Sequence, residues 1–314
     1  VADIGAVDLK ALDGEEMKLI LTNSISPIPL HKTLVLLDCL NQYQTERYYR
    51  HALLALASAL VFKIGNLHFG PEVGVGKLKR DVPVVASWLS EVRKIGDDLR
   101  RVHGKSSPGS SVYLADARTI SKVLPPDSVD AVITSPPYPN EKDYTRTTRL
   151  ESVVLGFIKT KAQLREMKQQ FIRSNTRGAY KDDDDDRWIA DHAEIQHIAE
   201  AIEKRRLELG KTSGFEKQYG RVTRLYFGGM ARHLADLRSV LRPGARLAYV
   251  VGDQASYLRV MIRTGSLLSD IAQSLGYELI RTDLFRTRFA TATKENLREE
   301  VVVLRWPGGQ ERKS

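Results

Sequence analysis

The apolar positions change their period along the chain, and that change divides it. From Thr33 to Leu40 and from Arg47 to Phe62 they recur every three or four residues, as on a helix buried along one face. Val84 to Val102 keeps the same period, with Trp88, Leu89, Val92, Ile95 and Leu99 on one side. Residues 8–22 read as a weaker helix, and Ser26-Pro27-Ile28-Pro29 as part of a proline-marked linker. A loop is expected from Asn66. The region 1–105 is therefore predicted to be mainly helical.

Beyond the Gly/Ser/Pro-rich stretch 103–111, strands and helices alternate. "VYLADA" (112–117), "AVIT" (131–134) and "RPGARLAYVVGD" (242–253) are strand candidates, followed by two closing strands, "YELIRTDLFRTRF" and "EEVVVLRW". Helices are predicted in part of Glu141–Phe157, near Ala193–Leu209, over Arg221–Leu241 and over Ser266–Leu275, with Gly276 as C-cap. This order predicts an α/β class for 106–314, with a parallel sheet covered on both faces and a polar, charged insertion at about 160–215. Ligands of such sheets bind beyond the carboxyl ends of the strands. Asp116, Ser135 and Asp253 all fall at predicted strand ends.

Composition narrows the function classes. No apolar run approaches the roughly 18 residues a membrane span needs. The single cysteine, Cys39, excludes an internal disulfide and a Cys-rich zinc site, and a reducing, cytoplasmic setting is expected. His31, His51, His68 and His103 lack metal-ligand spacing, and no metal is expected. The acidic run "KDDDDDR" (181–187) reads as solvated, since consecutive aspartates cannot converge on one ion. A formal net charge of +9 favours a polyanionic partner without identifying it.

Ser135-Pro136-Pro137-Tyr138, directly after "DAVIT", resembles the catalytic tetrapeptide of amino-methyltransferases: Asp, Asn or Ser, two prolines, then an aromatic residue. Its serine form is similar to DNA methylases of cytosine N4 and some of adenine N6. "LRPGARLAYVVGD" is similar to the family's next strand, and "VYLADA" resembles the strand whose terminal aspartate contacts the adenine of S-adenosylmethionine. The resemblance spans about residues 112–308. It implies a Rossmann-like methyltransferase sheet, S-adenosylmethionine as cofactor, DNA as partner and a cognate restriction endonuclease as a further expected one.

The chemistry accounts for the residue types. The lone pair of an exocyclic amino group is delocalised into the base, so the nitrogen is a poor nucleophile. The Ser135 hydroxyl and the Pro136 carbonyl would accept its two N–H bonds and free that pair. Proline fixes φ and carries no N–H, so the carbonyls stay aimed without a competing donor. Tyr138 would stack on the extruded base. A cytosine-C5 methylase would need a nucleophilic cysteine after a proline, and Cys39 in "LLDCLN" is not one.

Several residues carry two readings. Asp116 and Asp253 are cofactor contacts by the resemblance, or caps of the following segments. Lys142, Arg146 and Arg149 either hold phosphates beside the corner or form a solvated helix start. "RTDLFRTRFATATKENLREE" (281–300) interleaves basic and aromatic residues, as nucleic-acid contacts do, but also suits a hairpin with one wet face. The family's glycine-rich cofactor loop is not legible. The nearest stretch, Phe69 to Gly76, has no strand before it and a poor helix start after it. Since the sequence starts at Val1, the expectation is that the strand–loop–helix–strand unit lies N-terminal to it and the sheet is incomplete. An RNA methylase and a non-catalytic nucleic-acid-binding remnant are the rival readings. The insertion and the helical region are the expected target-recognition surfaces.

Overall fold

The computed structural model describes residues 9–70, 73–105, 109–140, 142–290 and 294–309, and these form two compact units. One comprises residues up to Ser111 together with Tyr144–Met167; the other comprises Val112–Asp143 and everything from Lys168 onward. The helical unit thus takes in 144–167, which the sequence pattern groups with the α/β part.

In the helical unit, α1 (Gly14–Leu19) begins on a capping box: Asp13 accepts from the Glu16 N–H and Glu16 accepts from the Asp13 N–H. α2 (Pro27–Asn41) starts at the stretch read as a linker. Ser26 is its N-cap and Pro27 occupies the first turn, where a missing N–H costs nothing. α3 (Tyr49–Ala59) runs into a π-helical turn at Leu60–Ile64. A short antiparallel hairpin follows, β1 (Leu67–Phe69) and β2 (Val73–Val75), with Gly74 opposite His68. The Phe69–Gly76 stretch therefore does not lead from a strand into a helix; its residues 71 and 72 lie outside the described residues. α4 (Val84–Val102) follows the predicted bounds. α5 (Tyr144–Thr147), α6 (Arg149–Val154) and the start of α7 (Lys161–Gln169) belong here too. Leu56, Leu60, Ile64, Leu150, Val153 and Ile158 form its core. Glu91 accepts from Lys63 and Lys94, which together hold its carboxyl down at about 2.

The α/β unit is built on four strands: β3 (Val129–Thr134), β4 (Leu241–Gly252), β5 (Glu278–Ala290) and β6 (Glu295–Arg305), in the order β3-β4-β6-β5. Only β3 and β4 are parallel; β6 is antiparallel to both β4 and β5, so the sheet is mixed rather than parallel. α8 (Ala193–Glu208), α9 (Tyr219–Leu237) and α10 (Thr264–Ser274) complete the unit. α9 buries Val222, Tyr226, Met230 and Leu234, four residues apart, in one core with Leu247, Tyr249 and Val251 of β4 and Leu268 and Ile271 of α10. The opposite face of the sheet is not closed in the same way. Ile133 is 85% exposed, whereas its neighbour Val132 packs on the core.

Two expectations fail here for physical reasons. "VYLADA" is not a strand: residues 112–116 have no sheet partner, and Val112 and Leu114 are almost fully exposed. Apolar alternation marks a strand, but a strand forms only where a neighbour takes its hydrogen bonds, and no described strand lies on the free side of β3. The acidic run is not solvated throughout. Asp183 accepts from Arg173, and Asp185 is 2% exposed, ion-paired to Arg118 (2.5 Å) and Arg232 (3.1 Å). α9 reaches it because Gly228 has no side chain: a Cβ there would overlap the Asp185 carbonyl oxygen.

His233 on α9 ties the segment before β3 to β4. Its Nδ1 faces the Ala117 carbonyl and its Nε2 the Tyr249 hydroxyl, both at 2.7 Å. A carbonyl only accepts, so Nδ1 carries the proton and Nε2 accepts from Tyr249. Enclosure of the ring pushes its pKa below the ordinary value.

Two outcomes follow from this packing. Gly228→Ala is expected to lower the free energy of urea unfolding by about 1–3 kcal/mol through overpacking. Below about pH 6.5 the unfolded chain takes up a proton that folded His233 resists, so stability should fall with pH by up to about 1.4 kcal/mol per unit. His233→Gln should flatten that slope in the same titration of unfolding.

Candidate active site

β3 ends at Thr134, opposite Tyr249, and delivers Ser135 to the carboxyl end of the parallel pair. Ser135 is exposed, while Pro136, Pro137 and Tyr138 are half-buried and Pro139 is buried. The backbone that follows is tied down step by step. The Asn140 N–H donates to the Tyr138 carbonyl (2.8 Å), and the Asn140 side chain accepts from the Lys142 N–H (2.9 Å). Asn175, from the insertion, donates to the Lys142 carbonyl (3.1 Å), and Lys168 pairs with Asp143 (2.7 Å). The corner is rigid on both flanks, which is what aimed hydrogen-bond acceptors require.

The Tyr138 ring lies across the end of β4. A Cβ added to Gly252 would come within 2.9 Å of the ring and 3.3 Å of the Glu299 Cγ. Glu299 stands opposite Gly252 on β6 and takes both Arg286 Nε (2.5 Å) and Nη2 (3.0 Å). That hydrogen bond holds the Arg286 guanidinium above its ordinary pKa, and Tyr138 is close enough to add to the effect. Gly252, Glu299 and Arg286 are thus part of the corner's surroundings, although nothing in the SPPY motif points to them. Gly252 had one legible signal: a glycine inside an apolar strand marks a close approach.

Asp116 is an N-cap and an ion-pair partner at once. It accepts from the Arg118 N–H (2.9 Å), Nε (3.0 Å) and Nη2 (2.7 Å). Burial opposes its charge, but the Arg118 hydrogen bonds outweigh burial and hold the carboxyl below its ordinary range. Asp253 is buried, pairs with Arg263 (2.6 Å) and accepts from the Arg298 N–H (3.2 Å). Of the basic cluster, Lys142 is exposed in the α/β unit, whereas Arg146 and Arg149 lie in the helical unit. Arg149 donates to the Thr145 carbonyl (3.1 Å), the Thr145 hydroxyl (2.7 Å) and the Leu19 carbonyl (3.2 Å), a structural use. Arg146 Nε is buried without a hydrogen-bond partner.

Over 247 residues, 72% of this chain, the sequence is 26% identical to the type II methyltransferase M.BsoBI of Geobacillus stearothermophilus. The sequence similarity is to type II methyltransferases. A second relative, the type II methyltransferase M.AvaI of Nostoc sp., is 28% identical over 221 residues, 65% of this chain. The chain spans about half the length of these relatives, 47% and 44%. No family model matches it. Among solved structures, TTHA0409 of Thermus thermophilus, a DNA modification methylase candidate complexed with S-adenosyl-L-methionine, is similar over 64% of this chain and 57% of its own, at 16% identity and a TM-score of 0.31.

Methyltransferases of this kind need a methyl donor, and the described residues do not build a full cradle for S-adenosylmethionine. No strand–glycine loop–helix unit occurs among them, and Asp116 and Asp253 are engaged by Arg118 and Arg263. Among the described residues no group of three or more His, Cys, Asp or Glu could hold a metal ion, and no helix is long and apolar enough to cross a membrane.

Gly252→Ala should push the Tyr138 ring off the end of β4 and cost about 1–3 kcal/mol of stability. A crystal structure of the variant and its urea unfolding curve check both. A ring left in place at unchanged stability would count against this packing.

Proposed function

We propose that this chain carries the amino-accepting site of an S-adenosylmethionine-dependent DNA methyltransferase, acting on cytosine N4 or adenine N6. The observation that carries this reading is the exposed Ser135 on a proline-locked corner at the carboxyl end of a parallel strand pair. The relatedness to M.BsoBI and M.AvaI supports it.

Ser135 Oγ and the Pro136 carbonyl would accept hydrogen bonds from the two amino N–H groups, which would pull the nitrogen toward tetrahedral geometry and free its lone pair for the methyl group that a bound S-adenosylmethionine would supply. The methylated nitrogen would carry a positive charge and would lose one amino proton to water, since neither the hydroxyl nor the carbonyl is basic enough to keep it. The prolines and the Asn140–Lys142–Asn175 chain hold the acceptors in place, so little reorganisation is needed during transfer. Tyr138, resting on Gly252, offers a ring to the flipped base. Lys142, exposed just beyond the corner, suits a phosphate. A cognate endonuclease is the further partner this reading implies.

The test is to incubate the full-length protein with methyl-labelled cofactor in excess and DNA, then hydrolyse the DNA to nucleosides. Label is expected in N4-methylcytosine or N6-methyladenine. Ser135→Ala, which removes an exposed hydroxyl and should leave folding intact, should reduce transfer on the order of 100-fold. Label in tRNA alone, or none in any nucleic acid, would sink the proposal.

A further inference from the structure

β5 and β6 run past the rest of the sheet. β6 leaves β4 at Glu299, opposite Gly252. It then stays paired with β5 for four more positions, from Thr287↔Arg298 to Ala290↔Glu295. These pairs form a two-stranded ribbon beyond the carboxyl ends of β3 and β4, the end that bears Ser135 and Tyr138. The Arg286–Glu299 pair, beside the Tyr138 ring, joins ribbon to corner.

The ribbon's side chains are unusual for a free strand edge. Edges are normally blunted by charge and kept poor in apolar surface. Here Phe289 in the ribbon, and Leu284 and Phe285 at its base where β6 is still paired with β4, are 60%, 55% and 66% exposed. Aromatic surface left in water at this density marks an interaction site. Between the rings stand Arg286 and Arg288, with Lys294 just before the return strand and Arg298 on it. Glu299 occupies Arg286 and Glu300 occupies Arg298, whereas Arg288 has no ion-pair partner among the described residues. Four basic residues against Glu295, Glu299 and Glu300 leave this stretch one charge positive, while the cores of protein–protein interfaces are depleted in charge.

We propose that this ribbon is a nucleic-acid arm, in which Phe285 and Phe289 stack on bases unpaired around the target and Arg288 holds a phosphate. The proposal rests on the reading that the Ser135 corner acts on a DNA base. Extruding that base leaves its partner and neighbours unstacked. Aromatic rings on the strand pair that runs past this end of the sheet would recover about 1–3 kcal/mol per base stacked. A two-stranded ribbon also has the cross-section that the major groove admits.

The experiment measures binding of residues 1–314 to a fluorescein-labelled duplex with one mismatched cytosine, by anisotropy over a range of salt. Phe285→Ala/Phe289→Ala is expected to weaken binding at least about tenfold with an unchanged melting curve, since both rings are exposed. Arg288→Ala should reduce the salt slope by about 1. Variants that bind like the unaltered chain, or an unaltered chain that does not bind, would overturn the arm. So would self-association, seen by sedimentation, that the double substitution abolishes while DNA binding persists. Methyl transfer by the unaltered chain is measured in parallel. Binding lost in the ribbon variants without any transfer by the unaltered chain would retain the arm and remove the enzymatic reading. Transfer together with unchanged binding in the variants would do the reverse.

Discussion

The α/β unit depends on one buried carboxylate. Asp185 is 2% exposed and is held by Arg118 and Arg232. A carboxylate taken out of water is tolerated only when paired and hydrogen-bonded, and losing one partner leaves the charge uncompensated. Asp185 comes from the insertion, Arg118 from the turn before β3, and Arg232 from α9, the helix packed on the sheet. Arg118 in turn holds Asp116. Three stretches far apart in sequence are thereby fixed around one charge, and Gly228 supplies the space that lets the backbones meet.

Rigidity at the Ser135–Tyr138 corner has a different source. Its backbone is set by two prolines and by hydrogen bonds at Asn140 and Asn175, and its aromatic tip by contact with a glycine at the end of the neighbouring strand. Register decides which residues meet there. Thr134 pairs with Tyr249, so Tyr138 reaches the level of Gly252 and of Glu299 across β6. A slip of one residue would turn the alternating faces over and bring a different side chain against the ring. The Ser135–Tyr138 corner is therefore packed against strand ends.

The residues assigned to cofactor by resemblance show how neighbours redirect a side chain. Asp116 and Asp253 both lie near the carboxyl ends of the sheet, yet each is bound by an arginine. Asp116 follows an unpaired segment rather than a strand, because no described strand flanks β3 on that side. Lys142, Arg146 and Arg149 are close in sequence but divide between two units, and Arg149 is spent on helix carbonyls.

Short-range order was legible in the sequence. The helical period set α4, α8, α9 and α10 to within a few residues, and the apolar runs set β3 to β6. Ser135-Pro136-Pro137-Tyr138 was legible as a rigid corner at the end of β3, since two prolines after a strand restrict the backbone whatever surrounds them. The tertiary structure alone decided what each residue faces. Alternation cannot tell a strand from an unpaired segment, so residues 112–116 misled. A run of five aspartates does not reveal which of them is buried, because that depends on arginines brought up by α9 and by the turn before β3. Nor does it reveal that Tyr138 rests on Gly252, or that β5 and β6 outrun their sheet, because hydrogen-bond register between distant strands is settled only when the whole sheet assembles.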